Sequence, residues 1–229
     1  MAAIRFEGVD KRYAGGRDAL TGVSFELASG EFAFLTGRSG AGKSTVLKLL
    51  GLLERPTRGA IVVDGRNVAR LPARDIPAYR RQVGMVFQDN RLLPDRTAFE
   101  NVALPLIIAG APEREIGRRV RAALDQVGLL DRERARPPTL SAGEQQRLGI
   151  ARAIVGRPRL LIADEPTGNL DPDLSVEIMG LFRRLSEVGV TMLVASHDLA
   201  LVERLRARRL VLDGGRLGEA APDPAGTPP

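Results

Sequence analysis

Gly37-Arg38-Ser39-Gly40-Ala41-Gly42-Lys43-Ser44-Thr45 has the residue types and spacing of a loop that cradles phosphates, G-x-x-x-x-G-K-[ST]. Its glycines let backbone N–H groups close around phosphate oxygens. Lys43 reaches the terminal phosphates, and the Ser44 hydroxyl suits a Mg²⁺ ion. Of the 34 basic residues only Lys11, Lys43 and Lys48 are lysines, so Lys43 stands out against an arginine background. A second constellation is Asp164-Glu165, two carboxylates closing the apolar run Leu160-Leu161-Ile162-Ala163. Asp164 is suited to hold Mg²⁺ through water and Glu165 to polarise an attacking water. Two solvated acids at a strand end would look the same, but the phosphate loop upstream argues for chemistry. A third is Leu140-Ser141-Ala142-Gly143-Glu144-Gln145-Gln146-Arg147, a capped helix start whose free N–H groups and outward hydroxyl form an anion site. By residue type alone it is equally a plain helix cap.

These groups need elements to hold them. The phosphate loop requires a strand before it and a helix after it, which 31–36 and 45–50 supply. Residues 4–9 and 22–27 alternate apolar and polar side chains, as half-buried antiparallel strands do. Residues 61–63 form a short strand running into the Asp64-Gly65 turn, and 83–87 are continuously apolar, the pattern of a strand covered on both faces. From 97 to about 155 the pattern is helical, with breaks near Gly110, Gly128 and Pro137-Pro138. Thr97 with Glu100 and Ser141 with Glu144 have capping-box spacing, so each pair opens a helix. Buried strands are predicted at 160–163 and 190–195, helices at about 173–187 and 198–205. A closing hairpin over 209–213 and 216–220 turns at Gly214-Gly215. The fold class is therefore α/β: a parallel-sheet core, an N-terminal antiparallel β subdomain and an inserted helical subdomain at about 89–155.

Composition narrows the setting. With 44% hydrophobic residues the 229-residue chain can bury a sizeable core. It has no Cys, which excludes disulfides and thiolate metal sites. No stretch approaches the roughly 18 apolar residues of a membrane span, and the N-terminus enters a strand pattern without a signal peptide, so a soluble protein is expected. The net charge of +6 comes with arginine clusters at Arg118-Arg119, Arg132/Arg134/Arg136 and Arg206/Arg208/Arg209. They fit an anionic surface, or helix faces solvated among Glu and Asp. Two Tyr and no Trp leave little to stack on bases, so no nucleic-acid partner is expected.

The phosphate loop, the Ser141 helix start and the Asp164-Glu165 pair, in that order, resemble the ATP-binding-cassette (ABC) ATPases, a family of P-loop NTPases. The resemblance covers about residues 4 to 220. It implies an ABC-type nucleotide-binding domain over 1–221, followed by a disordered tail at 222–229. It also implies ATP and Mg²⁺ as ligands, and two chains that dimerise head to tail around two nucleotides. In that arrangement Tyr13 is similar to the aromatic residue that stacks on adenine, although its position alone suits a half-exposed edge residue. Gln88 resembles the glutamine that senses Mg²⁺ and water and couples to a membrane partner, which makes Ser44, Gln88 and Asp164 the metal group. Ser141, Gly143 and Glu144 correspond to the signature motif, which binds the γ-phosphate held by a second subunit. Asn169-Leu170-Asp171 resembles a loop crossing the dimer interface, while Asp171-Pro172 also makes a good helix start. His197, the only histidine, looks like the switch residue at the γ-phosphate. Ala142 departs from the usual glycine: a position with φ > 0 would strain it, and one in the first helical turn would not.

Within the family, Glu165-Pro166-Thr167-Gly168-Asn169-Leu170-Asp171 resembles a subgroup serving cell-division, lipoprotein-release and macrolide-export systems. Residues 34–43 and 83–97 are most similar to the cell-division (FtsE-type) ATPases. That resemblance implies a peripheral protein at the cytoplasmic face of the inner membrane, held by an FtsX-like integral membrane subunit and in contact with other division proteins. The alternative it leaves is an ATPase subunit of a lipoprotein-release or macrolide-export transporter.

Overall fold

The structure, a computed structural model, describes residues 2–218; the expected tail at 222–229 and the last predicted strand residues, 219–220, lie outside them. Two sheets form the frame. The antiparallel one contains β1 (Ala2–Arg12), β2 (Asp18–Ala28), β4 (Arg58–Val63) and β5 (Arg66–Asn67), in the order β2-β1-β4-β5. The other contains β3 (Phe32–Thr36), β6 (Val83–Val86), β7 (Leu160–Asp164), β8 (Thr191–Ala195), β9 (Arg208–Asp213) and β10 (Arg216–Leu217). Its order is β10-β9-β3-β8-β7-β6, parallel throughout except for β10.

Alternation along the parallel strands divides their side chains between two cores. Ala33, Leu35, Leu160, Ile162, Leu193 and Ala195 face one side, where they meet α1 (Lys43–Leu50) and the inner face of the antiparallel sheet. There Phe6 stacks on its cross-strand partner Phe25 with centroids 4.5 Å apart. Phe34, Leu161, Ala163, Met192 and Val194 face the other side, against α6 (Pro172–Glu187), α7 (Leu199–Leu205) and the helical region. Both faces are apolar, which is why these strands read as unbroken hydrophobic runs.

The helical region consists of α3 (Ala98–Ile108), α4 (Glu113–Gln126) and α5 (Ala142–Ile154). Thr97 and Ser141 both form the reciprocal capping box with Glu100 and Glu144. Helix α3 ends as its sequence indicates, with Gly110 at φ 71° and Ala111 N–H donating to the Leu106 carbonyl. Asp64-Gly65 and Gly214-Gly215 have positive φ at both residues, as two-residue hairpin turns need. The predicted boundaries shift by a few residues: β1 and β2 are longer than expected, and α1 begins at Lys43 rather than Thr45. Residues 89–97 run as turns and irregular chain into the first helix of the region. Periodicity also does not mark β5 or the short α2 (Ile76–Arg80), which is held by tertiary contact: the Tyr79 hydroxyl donates to the Leu50 carbonyl at 2.6 Å.

Asn101, fully buried in α3, pins the chain that leads into the helix. Its amide donates to the carbonyls of Leu93, Arg96 and Thr97, and its oxygen accepts the Leu93 N–H at 2.8 Å. Asn101→Leu strands these buried groups and is expected to destabilise the protein by about 3 kcal/mol, read as a lowered urea midpoint.

Candidate active site

At the carboxyl end of the parallel sheet lies a cleft of about 990 Å³. The neighbouring strands deliver its residues. β3 leads into the phosphate loop, β6 into Gln88, β7 into Asp164 and Glu165, and β8 into His197. Gly37, Arg38, Ser39, Gly40, Gly42, Lys43, Ser44, Thr45, Gln88, Asp164, Glu165, His197 and Tyr13 all line it. Ala41 is buried behind the loop.

The loop can exist only with glycine at its ends. Gly37 has φ 148° and a Cβ there would collide with the Leu212 carbonyl; Gly42 has φ 110° and its Cβ would lie 2.7 Å from the Ala19 carbonyl. The Lys43 side chain folds back over the loop, and its ammonium donates to the carbonyls of Gly37 at 2.7 Å and Arg38 at 3.2 Å. Burial raises the Asp164 carboxyl above its ordinary value; the Ser44 hydroxyl opposes this and the Glu165 charge adds to it.

Glu165 is a left-handed residue, φ 49°, tied to the end of β8 by its N–H to the Ala195 carbonyl at 3.0 Å. That geometry costs roughly 1–2 kcal/mol in a non-glycine residue. It turns the carboxylate toward β8, where Oε2 lies 2.8 Å from His197 Nδ1 and accepts the His197 N–H at 3.3 Å. Glu165 is well covered while the imidazole is exposed. A carboxylate held by a histidine beside a phosphate loop is an arrangement for orienting water and taking its proton.

Tyr13 sits at the cleft edge, its hydroxyl 3.4 Å from Thr45 Oγ1 and its ring 4.8 Å from the Lys11 ammonium. Lys11 is fixed below by Glu54 at 2.8 Å. Arg17, Lys48, Asn169, Leu199 and Arg209 also line the cleft. Asn169 belongs to the Asn169-Leu170-Asp171 loop singled out in the sequence. Sequence reasoning gave the other four no role in the cleft, because they sit in none of its motifs and arginines are abundant here; for Lys48 the only signal is the scarcity of lysine.

Ser141, Gly143, Glu144 and Asp171 do not line this cleft. Gly143 instead packs beside Leu170 and the Asn169 carbonyl, and Asp171 accepts the N–H groups of Asp173 and Leu174 as the cap of α6. Ala142 is the first residue of α5, with no left-handed strain. The expected Mg²⁺ donors all line the cleft: the Ser44 hydroxyl, the Gln88 amide oxygen and the Asp164 carboxylate. Among the described residues no cluster of three or more His, Cys, Asp or Glu could hold a metal alone. This set fits Mg²⁺, which commonly takes one carboxylate together with substrate phosphates and water.

The sequence model of the family described as ABC transporter matches residues 20–168. Among curated relatives, the cell division ATP-binding protein FtsE of Escherichia coli (strain K12) is 58% identical over 214 residues, covering 93% of this chain and 96% of that protein. The protein of the same name from Streptococcus pneumoniae (strain D39) is 47% identical over 217 residues, covering 95% and 94%. Among solved structures, dimeric MJ0796, a bacterial ABC transporter cassette, superposes with TM-score 0.90 at 35% identity, covering 95% and 97%. A post-hydrolysis dimer of the same cassette bound to ADP and Pi gives 0.89 at 34% identity, with the same coverage.

The Ser141 cap predicts a pH signature. The Ser141 N–H bond holds the Glu144 carboxyl below its ordinary value of 4.5. A depressed carboxyl contributes stability that is complete above the unfolded value and lost as pH falls through the folded one. Glu144→Ala should therefore lower the melting temperature most near neutral pH, with the gap to wild type closing as pH falls below 4.5.

Proposed function

We propose, from the premise that this chain belongs to the ABC transporter family and is an ATP-hydrolysing enzyme, that it is the ATPase subunit of an FtsE/FtsX-type membrane complex. In that complex, ATP-driven closure of two copies moves a membrane partner that regulates cell-wall hydrolysis during division. The observation that carries the chemistry is the Glu165–His197 contact beside the phosphate loop. The division role is supported by the 58% identity to FtsE across nearly the full length of both proteins.

In this reading the ATPase domain runs over 1–221 with its helical part at about 89–155. Phosphate oxygens replace the Gly37 and Arg38 carbonyls at the Lys43 ammonium, and Gly37–Thr45 backbone N–H groups surround them. Mg²⁺ held by Ser44 and Asp164, with Gln88 beside it, would supply neutralising charge on the phosphates. Tyr13 meets the adenine. Glu165 orients a water in line with the γ-phosphorus and takes its proton as the water oxygen bonds to phosphorus and ADP leaves. His197 holds that carboxylate through Nδ1 and its own N–H, and its exposed ring meets the γ-phosphate.

Ser141, Gly143 and Glu144 act on the nucleotide of the other copy, with Asp171 crossing the interface; the dimeric state of MJ0796 supports this arrangement. Among the described residues no helix is long and apolar enough to cross a membrane, so attachment to the cytoplasmic face of the inner membrane is assigned to an FtsX-like subunit. A groove beside Gln88, lined by Leu53, Met85, Phe87 and Arg91, is where that subunit docks.

Glu165→Gln should bind ATP and form an ATP-dependent dimer while turnover falls by about 10²-fold or more. Near-normal phosphate release in this variant would remove Glu165 from the role. Trapped with ATP in its native cell and crosslinked, the variant should retain a four-span membrane protein with a small extracytoplasmic domain located at the septum. A partner with a large periplasmic domain would instead replace the division role with export.

A further inference from the structure

After Gln88 the chain turns through two consecutive left-handed residues, Asn90 at φ 53° and Arg91 at φ 45°. Neither is glycine, and such backbone persists only where its surroundings impose it. Within those surroundings one side chain reaches both residues. The Arg152 guanidinium, on α5, donates Nη1 to the Arg91 carbonyl at 2.7 Å and Nη2 to the Asn90 carbonyl. No carboxylate of the described residues forms an ion pair with it, so its directed contacts go to this loop. Asn90 lies against the same helix, packed over Gly149, where the absent side chain makes room for it. Helix α5 begins at Ala142, directly after Ser141. One rigid rod thus carries the exposed Ser141 cap at its start and the hold on the Gln88 loop at its end.

We propose that Arg152 is a positioning residue for hydrolysis: by gripping the carbonyls of Asn90 and Arg91 it sets Gln88 in the cleft according to where α5 stands. The inference rests on the role given to Gln88 above and adds the link that ties that residue to the Ser141 helix. An arginine suits the task because its planar fork aims two N–H groups in fixed directions and so holds both carbonyls in one geometry, whereas the rotatable donors of an ammonium on a flexible stem leave that geometry loose. Arg91 stiffens the loop from its outer side, its guanidinium 4.2 Å from the centre of the Phe87 ring and bonded to Asp89.

Arg152→Lys keeps the charge and removes the fork. In the nucleotide-free protein, amide hydrogen exchange over residues 88–92 should accelerate about 10-fold or more while amides within α5 stay as in wild type. A general loosening would raise both. In steady-state assays kcat should fall about 10-fold with the KM for ATP within about 2-fold, and the kcat loss should vanish in a Gln88→Ala background, since both changes act through one group. Arg152→Gln, read in the same way, serves if the lysine variant does not fold. Unchanged exchange over 88–92, unchanged kcat, or an equal loss with and without Gln88 overturns the proposal. So does failure of both variants to fold, which would make Arg152 structural. Glu165→Gln run alongside separates the two readings: wild-type turnover that ignores Glu165 defeats the hydrolytic assignment, whereas the exchange measurement tests the Arg152 grip without nucleotide.

Discussion

The register of four neighbouring parallel strands is the constraint on which the site depends. Leu35 pairs with Ala195, Asp164 with Ala195, and Val86 with Ala163. This puts the ends of β3, β8, β7 and β6 at one level, so the phosphate loop, His197, Glu165 and Gln88 emerge side by side. Register is strongly specified because a slip of one residue would turn every side chain of a strand to the opposite core. Those cores differ: one is closed by the antiparallel sheet and α1, the other by α6, α7 and the helical region. Packing on both faces therefore places the reactive groups without any of them contributing to that packing.

At the cleft itself, stability is given up locally. Glu165 sits in a left-handed conformation, Asp164 is a carboxyl whose burial disfavours its charge, and Lys43 is a largely buried cation satisfied by carbonyls of its own loop. Each is tolerable because the adjoining backbone is fixed by strand pairing. Lys43 and Asp164 are also matched to a ligand that brings negative charge and a bound cation, the first opposite the ammonium and the second opposite the carboxylate. Local rules broken together at one strand edge are what a functional site looks like when the rest of the chain obeys them.

Most of this was legible in the sequence where one residue type does one job. Glycines at 37 and 42 mark close backbone approach, apolar runs mark strands buried on both faces, and Thr97 and Ser141 mark helix starts through their spacing to Glu100 and Glu144. Legibility ended where tertiary contacts decide. α2 is one short turn held by a tyrosine on a distant carbonyl, with no period to detect. Arg152 and Arg17 act on backbone carbonyls, and a carbonyl leaves no trace in sequence; among so many arginines neither stands out. Asp171 shows the limit from the other side: its helix-capping role is visible within one chain, and a role at an interface is not.

The Ser141 helix start explains why one copy would be insufficient in the proposed mechanism. Its capping box uses the Ser141 hydroxyl on the Glu144 N–H and the Glu144 carboxylate on the Ser141 N–H. The N–H groups of Ala142 and Gly143 stay at the open end of α5, where helix geometry gives them no acceptor within the helix. The cap thus fixes the helix end without consuming the donors best placed for an anion. No phosphate bound in the chain's own cleft reaches them, since this end of α5 does not line it. A γ-phosphate presented by a second copy would satisfy them, so nucleotide becomes part of the dimer contact, and its cleavage removes the bridging charge. Closure and hydrolysis are then coupled by where the unsatisfied donors lie.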